Sequence, residues 1–178
     1  PTSEAIRTMG NKASARIAAD KAKVSVVPGS KGKIADEKEA LTVAHEIGYP
    51  VLVKAVSGGG GRGMRVAHND MSLRAGLQAA QAEAAAAFGD GAVYLERFLD
   101  RPRHVEVQIL ADAAGDVMHL FERDCSVQRR HQKLVEMAPA QGLPQATREA
   151  LWKDAVTLAR AVGYRNAGTV EFLVAPDG

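Results

Sequence analysis

A glycine-rich stretch follows a lysine-bearing apolar segment in the first half of the chain. Lys54 lies in the segment Val51 to Ala55, and residues 58–63 read Gly-Gly-Gly-Gly-Arg-Gly. Glycines at 58, 60 and 63 have the spacing of the loop that binds dinucleotides in Rossmann folds. That loop is followed by a helix, whereas the sequence from Met64 to Ala67 predicts a strand, so we exclude a Rossmann loop. The sequence has no Gly-Lys-Ser/Thr, so a Walker loop is excluded. We predict a hairpin whose backbone amides fold over a phosphate, with Lys54 and Arg62 adding positive charge; a surface turn is the alternative.

Polar side chains alternate with apolar ones along a predicted strand in the second half. His104, Glu106 and Gln108 share one face, and an exposed, solvated face is the simplest explanation of such a pattern. Glu171 stands among apolar residues in the last predicted strand. A carboxylate there needs a partner, and a divalent metal that bridges phosphate oxygens is one. An exposed face is again the alternative.

The segment from Arg123 to Lys133 carries four cationic and two amide side chains, and we predict a polar loop between strands. Nucleic-acid binding is one function for such a loop, but it predicts stacking aromatics, and this segment has none. Cys125 and His131 have no second pair of ligands at zinc-site spacing. Cys125 is therefore predicted to be a small buried residue.

The segment Glu96 to Leu99 ends another predicted strand. Backbone donors and acceptors at such a crossing could hold the edge of an adenine ring. An ordinary linker is the alternative.

The composition is that of a globular protein. The 178 residues are 46% apolar and 25% charged, with a net charge of +2, which by itself favours neither nucleic acid nor an anionic membrane as a partner. The single cysteine favours a reducing, cytoplasm-like compartment. Neither a signal peptide nor a run of about 18 apolar residues is present. The chain lacks an initial Met, and its last strand runs into Pro176-Asp177-Gly178, so we expect a piece of a longer chain.

Hydrophobic periodicity predicts an α+β fold. Predicted helices cover residues 5–9, 12–23, 37–47, 70–88 and 148–162, the last capped by Thr147. Predicted strands cover residues 25–27, 51–55, 64–67, 92–96, 105–109, 117–122, 134–137 and 169–174. We assign residues 1–25 to a helical connection, 26–97 to a first subdomain and 98–178 to part of a second.

Four stretches of sequence together resemble the biotin carboxylase component of biotin-dependent carboxylases, which are ATP-grasp enzymes. They are Lys54-Ala55 with residues 58–66, residues 101–108, residues 122–133, and residues 167–172. Residues 166–174 and 26–29 are most similar to the pyruvate carboxylases, with acetyl-CoA and propionyl-CoA carboxylases as the alternative. The resemblance implies an ATP-grasp fold, with 26–97 as the lid and 98–178 as the first part of the C-terminal subdomain.

The resemblance also implies an ATP-dependent ligase that carboxylates carrier-bound biotin with bicarbonate through carboxyphosphate. It assigns catalytic roles near bicarbonate to Lys133 and Glu106, and Glu171 to the Mg²⁺ or Mn²⁺ ion. The implied ATP-binding residues are Lys12, Lys54, Gly60, Gly61, Glu96, Arg97, Phe98, Leu99, His104, Gln128, His131 and Glu171. Arg97 stands where the family commonly has lysine.

The implied partners are bicarbonate, a biotin carrier domain and a carboxyltransferase domain or subunit, in a homo-oligomeric parent, with neither nucleic acid nor membrane. The implied compartment is the cytoplasm, or the mitochondrial matrix in a eukaryote. The 178 residues alone are expected to be at most a nucleotide-binding module. The alternative from a different functional class is a module that binds nucleic acid.

Overall fold

The computed structural model describes residues 1–57, 64–130 and 132–176. The helices are α1 (Ser3–Gly10), α2 (Lys12–Lys21), α3 (Glu37–Ile47), α4 (Asp70–Phe88) and α5 (Gln145–Ala161). The strands are β1 (Val51–Ala55), β2 (Arg65–Ala67), β3 (Val93–Arg97), β4 (Arg103–Ala111), β5 (Val117–Arg129), β6 (Gln132–Met137) and β7 (Asn166–Val174). The chain divides into a first unit, residues 11–16 and 27–98, and a second unit, residues 1–10, 17–26 and 99 onward.

The first unit is a three-stranded antiparallel sheet in the order β2-β1-β3, with α3 and α4 packed on one face. Val51 and Val53 of β1 are fully buried, together with Leu73 and Leu77 of α4. Because side chains alternate along a strand, Lys54 lies on the opposite face of β1. The sheet therefore separates the apolar core from a charged face.

Short polar residues and glycines bound both helices of this unit, as the sequence predicts. The Asp36 side chain accepts a hydrogen bond from the Glu39 amide, and Asn69 accepts one from Ser72. Gly48 and Gly89 end the helices at positive φ angles of 80° and 72°. The predicted start and end of α3 and of α4 are therefore confirmed.

The second unit is a four-stranded antiparallel sheet in the order β6-β5-β4-β7, with α5 on one face. Val107 and Ile109 of β4 pack against Ala155 and Ala159 of α5. The predicted alternation of β4 is confirmed, and Glu106 lies on the face away from α5. This face carries the polar residues discussed below.

The predicted loop from Arg123 to Lys133 is wrong. Strand β5 continues to Arg129 and pairs with β6, which begins at Gln132. The polar composition suggested a loop, but most of these polar groups have protein partners. Asp124, for example, is buried and accepts hydrogen bonds from Arg103 and the Ser126 amide.

The predicted strand at residues 25–27 is also wrong, and the extended chain there forms only an isolated bridge between Gly29 and Glu96. Proline cannot donate a ladder hydrogen bond, and the carbonyl of Val27 accepts one from Arg16 instead. Gly29 permits the close approach, because a Cβ atom there would lie 2.3 Å from the carbonyl oxygen of Leu95.

Helix α5 begins earlier than predicted. Its N-cap is Pro144, with no side-chain capping bond, so Thr147 lies inside the first turn rather than at the cap. Proline's fixed φ angle suits a helix start, and the Arg148 amide donates to the Pro144 carbonyl. Gly163, at φ 58°, follows the end of the helix, as predicted.

Candidate functional site

Two charged clusters contain the predicted site residues with ionic side-chain partners, and each cluster lies within one unit. The first, named the Glu96 cluster, consists of Lys12, Arg16, Lys54, Tyr94 and Glu96. Lys54 Nζ lies 2.8 Å from Glu96 Oε2, and Arg16 Nη1 lies 3.0 Å from Glu96 Oε1. Lys54 and Tyr94 are opposite each other in the β1–β3 ladder, with the ammonium 5.6 Å from the ring centroid. The carboxylate therefore fixes both cations.

The Glu96 cluster has more positive than negative groups, because three cations surround one carboxylate. Lys12 Nζ is 3.5 Å from the carbonyl oxygen of Ala55. Burial and the nearby Lys54 charge lower the pKa of Lys12, against the opposing effect of Glu96. Burial also lowers the pKa of Lys54, but Glu96 and Tyr94 raise it more, so the net direction is upward. Such an arrangement is suited to binding an anion such as a phosphate.

The segment after Glu96 uses its amide groups inside the first unit. The Arg97 amide donates to the Pro28 carbonyl at 2.7 Å, and the Phe98 amide donates to Pro50 at 3.0 Å. The Arg97 guanidinium donates to the Ile47 carbonyl at the end of α3. An adenine contact by this segment therefore depends on its carbonyl groups or on Leu99, and it stays a prediction.

The second cluster, named the Glu106 cluster, consists of Glu106, Gln108, Arg123, Lys133 and Glu171. Glu106 Oε1 accepts hydrogen bonds from Arg123 Nε, at 3.0 Å, and from Arg123 Nη2. Its other oxygen, Oε2, accepts one from Lys133 Nζ, which also donates to Glu171 Oε1. Both oxygens of Glu106 are thus held by cations.

Burial and charge act in opposite directions on Glu106, whose side chain is 4% exposed. Burial raises the pKa of Glu106, but the hydrogen bonds from Lys133 and Arg123 lower it more, so the net direction is downward. Burial lowers the pKa of Lys133, and Glu106 with Glu171 raises it above its usual range. At neutral pH Glu106 is therefore a carboxylate and Lys133 an ammonium.

The remaining predicted site residues are less tightly arranged. His104 donates its backbone amide to Ser126 and lies on the same face of β4 as Glu106. The Gln128 side chain donates to the carbonyl of Cys125, and Cys125 is buried as predicted. Gly60, Gly61 and His131 lie outside the described residues.

Arg16 and Arg123 are the charged residues of the two clusters that the sequence did not single out for the site. Arg123 falls in the predicted polar loop, and only the β4–β5 register reveals it opposite Glu106. Arg16 follows Lys12 by one helical turn, a spacing that places both side chains on one face of α2. That spacing was the available signal for Arg16.

A divalent metal is a reasonable partner for Glu171. The described residues contain no group of three His, Cys, Asp or Glu side chains suited to holding an ion. Mg²⁺ bound to a nucleotide needs only one or two carboxylates beside phosphate oxygens and water. The Glu171 side chain is 68% exposed, so its carboxylate is accessible for this role. The donor set therefore fits a nucleotide-bound ion rather than a cage formed by the protein alone.

The fold is that of a known class of protein. The chain belongs to the family described as carbamoyl-phosphate synthase L chain, ATP binding domain, which matches residues 11–178. Its fold is the ATP-grasp fold of biotin carboxylase domains, as predicted.

Particular relatives are similar over nearly the whole chain. Pyruvate carboxylase of Aspergillus terreus is 53% identical over 98% of the chain, which spans 15% of that protein. The propionyl-CoA carboxylase alpha chain of Ruegeria pomeroyi is 51% identical over 98% of the chain, which spans 26% of that protein. The chain is thus a small part of the length of the carboxylases it matches.

Solved structures of biotin carboxylases are also similar over nearly the whole chain. Biotin carboxylase of Campylobacter jejuni, solved as a beta-gamma-ATP complex, is similar with a TM-score of 0.94 and 48% identity, over 99% of this chain and 40% of that one. The biotin carboxylase domain of Hydrogenobacter thermophilus 2-oxoglutarate carboxylase, solved with MgADP and bicarbonate, has a TM-score of 0.91 and 47% identity. It matches 97% of this chain and 38% of that one.

Among the described residues, no helix is both long enough and apolar enough to cross a membrane.

Proposed function

We propose that this chain is the ATP-binding part of a biotin carboxylase, which carboxylates carrier-bound biotin with bicarbonate at the expense of ATP. The observation that carries the proposal is the Glu106 cluster, in which Lys133 and Glu106 share a hydrogen bond on a sheet similar to that of a biotin carboxylase solved with MgADP and bicarbonate. The 47% identity to that domain supports a shared chemistry.

The reaction has two steps in this proposal. A bicarbonate oxygen attacks the γ-phosphorus of ATP, forming a phosphorus–oxygen bond and releasing ADP, and the product is carboxyphosphate. The carboxyl group then passes to the ureido nitrogen of biotin, the substrate, with release of phosphate and of the nitrogen-bound proton. Both reactants of the first step are anions, so their repulsion must be reduced.

The two clusters supply the required charge in different ways. We assign Lys12 and Lys54 to the phosphates, since the Glu96 cluster has more cations than carboxylates. Lys133 is assigned to bicarbonate, and Glu106 holds that ammonium in place. Glu171 would hold a Mg²⁺ or Mn²⁺ ion, which supplies charge neutralisation on the phosphate oxygens when bound.

The remaining assignments follow the same family. The carbonyl groups of Glu96 to Phe98, with Leu99, are assigned to adenosine. His104 and Gln128 are assigned to the nucleotide, together with Gly60, Gly61 and His131, which lie outside the described residues. Residues 26–97 would be the lid, and 98–178 the first part of the C-terminal subdomain.

We further propose that the parent protein uses pyruvate as its acceptor, with a biotin carrier and a carboxyltransferase as partners and a homo-oligomeric assembly. Several pyruvate carboxylases at 51% to 55% identity support this choice, with an acyl-CoA as the alternative acceptor. The mouse relative is a mitochondrial pyruvate carboxylase at 52% identity. We propose the cytoplasm as the compartment, or the mitochondrial matrix in a eukaryote.

The test is ADP release by the protein that carries this chain, measured with and without bicarbonate and free biotin. We expect ADP release to need bicarbonate and to rise with biotin, and pyruvate to be carboxylated when the carrier is present. ATP hydrolysis that is indifferent to bicarbonate would overturn the proposal. Carboxylation of propionyl-CoA instead of pyruvate would overturn only the assignment of pyruvate as the acceptor. The 178 residues alone are expected to bind ATP weakly and to show no biotin-dependent ATPase.

A further inference from the structure

We propose that Gln108 and Arg123 form a positioning pair that holds Glu106 in the orientation in which its Oε2 atom receives Lys133. The inference deepens the proposed function and rests on it for the catalytic roles of Glu106 and Lys133. Neither Gln108 nor Arg123 would touch a substrate in this proposal. They act on the reaction through the carboxylate of Glu106.

The evidence is a continuous chain of hydrogen bonds across the second unit's sheet. Gln108 Nε2 donates to the carbonyl oxygen of Gly168 on β7 at 2.9 Å, and also to the carbonyl of Ile109 at 3.2 Å. Gln108 Oε1 accepts from Arg123 Nη1 at 3.0 Å. Arg123 in turn donates through Nε and Nη2 to one oxygen of Glu106.

The two backbone carbonyls fix which end of the amide meets the arginine. A carbonyl only accepts hydrogen bonds, so the NH₂ group of Gln108 must face Gly168 and Ile109, and its oxygen must face Arg123. The guanidinium is a rigid fork, and an acceptor on Nη1 therefore sets the directions of Nε and Nη2 as well. Gln108 thus orients the two donors that bind Glu106.

A competing carboxylate explains why the guanidinium needs this third contact. Arg123 Nε lies 3.5 Å from Glu136 Oε2 on β6, and the Glu136 side chain is 45% exposed. Without Gln108, Arg123 could turn toward Glu136 and release Glu106 Oε1. Glu106 would then pivot, and its second oxygen would no longer be fixed toward Lys133. Gln108 selects the pairing with Glu106 over the pairing with Glu136.

The kinetic test uses Gln108→Met, which keeps the side-chain length but removes the amide. In the full-length protein we expect kcat for bicarbonate-dependent ADP release to fall roughly tenfold, because Arg123 loses a hydrogen bond that orients its guanidinium. The KM for ATP should stay within about twofold, because the Glu96 cluster is untouched. Gln78→Met, on the exposed face of α4, is the matched control and should leave both constants unchanged. An unchanged kcat in Gln108→Met would overturn the proposal.

Chemical rescue separates a positioning role from a general structural one. Arg123→Ala should lose more activity than Gln108→Met, and added guanidinium should restore part of it by occupying the vacated space. Arg74→Ala, which removes an exposed partner of Glu37, is the control. It should neither lose activity nor gain any when guanidinium is added. An Arg123→Ala protein with a native circular dichroism spectrum but no rescue would count against the pair.

A measurement without turnover distinguishes this proposal from the proposed function. In the ¹⁵N-labelled full-length protein, the Arg123 Nε–H signal can be assigned by its loss in Arg123→Lys. It should shift in Gln108→Met and stay in place in Gln78→Met. A shift in a protein that lacks bicarbonate-dependent ADP release would retain the pair and overturn the proposed function. If the protein is active and Gln108→Met changes neither the Arg123 signal nor kcat, the proposed positioning pair is wrong and the proposed function stands.

Discussion

Glu106 and Glu171 lie directly opposite each other in the β4–β7 ladder, and the ammonium of Lys133 pairs with both carboxylates. Like charges at directly opposed positions of an antiparallel pair destabilise a sheet. Lys133 offsets that repulsion, since it donates to both carboxylates. The same lysine therefore stabilises the sheet and supplies the positive charge that we assign to bicarbonate.

The first prediction is that Lys133→Met destabilises the 178-residue chain by about 1–2 kcal/mol, because two carboxylates lose a shared partner. Adding Glu171→Gln should recover part of this loss, since it removes the like-charge repulsion. Urea unfolding of both single variants and the double variant measures the coupling. Lys153→Met, at an exposed position of α5, is the control. Strictly additive effects would contradict the shared-partner role.

The second prediction concerns Lys54. Lys54→Met in the full-length protein should weaken ATP binding roughly tenfold, because it removes a partly buried cation while Glu96 keeps its ion pair with Arg16. Titration calorimetry measures the dissociation constant. Lys38→Met, at an exposed position of α3, should change it less than twofold. Equal ATP affinity in Lys54→Met and wild type would remove Lys54 from the phosphate site.

The third prediction concerns Glu171. Glu171→Gln should lower kcat at least tenfold and raise the Mg²⁺ concentration needed for half-maximal activity, since an amide is a weaker ligand for a hard cation than a carboxylate. A magnesium titration of ADP release gives both values. Glu46→Gln, exposed on α3, is the control. An unchanged magnesium requirement would show that Glu171 does not hold the ion.

The fourth prediction is an acid dependence of stability through Asp124. Burial raises the pKa of this carboxyl, but the Ser126 amide and Arg103 lower it more, so its pKa is below the ordinary value. A lowered folded-state pKa contributes stability that is fully present above the unfolded pKa of about 3.9 and is lost as pH falls through the folded pKa.

Asp124→Asn should therefore reduce stability at pH 7 and weaken the loss of stability below about pH 4. Urea unfolding at pH 7, 4 and 3 tests both effects. Asp116→Asn, at an exposed turn position, should follow wild type at every pH. Parallel pH profiles for Asp124→Asn and wild type would exclude this carboxyl as a source of the acid dependence.

Local signals determined much of the fold. Asp36 and Asn69 start helices, Gly48 and Gly89 end them, and the strict alternation of β4 places Glu106 on one face. Each of these features is set by residues close in sequence, so a single sequence suffices to predict it. The resemblance to biotin carboxylase added the ATP-grasp fold, which the structural similarity supports.

Features that depend on long-range partners were missed. The stretch from Arg123 to Lys133 reads as a loop because it is polar, yet Arg123 pairs with Glu106 on β4 and Lys133 pairs with Glu106 and Glu171. Composition alone does not contain the β4–β5 register that supplies those partners. The same reason explains Arg16, whose carboxylate partner Glu96 is 80 residues away. The positions of cations could be read from the sequence, but their pairing could not.

The last prediction concerns strand β7. It lies at the end of the β6-β5-β4-β7 order, and among the described residues only β4 pairs with it. Its segment Val170 to Val174 is apolar except for Glu171, and Leu173 is 40% exposed. An apolar strand with a free edge tends to pair with another chain. We expect the 178-residue chain to self-associate through residues 169–175, and sedimentation velocity at several concentrations measures this. Leu173→Lys should reduce the association, whereas Met71→Lys, on the exposed face of α4, should not. If Leu134→Lys on β6 removed the association and Leu173→Lys did not, the contact would lie at the other edge of the sheet, and the assignment to β7 would be wrong.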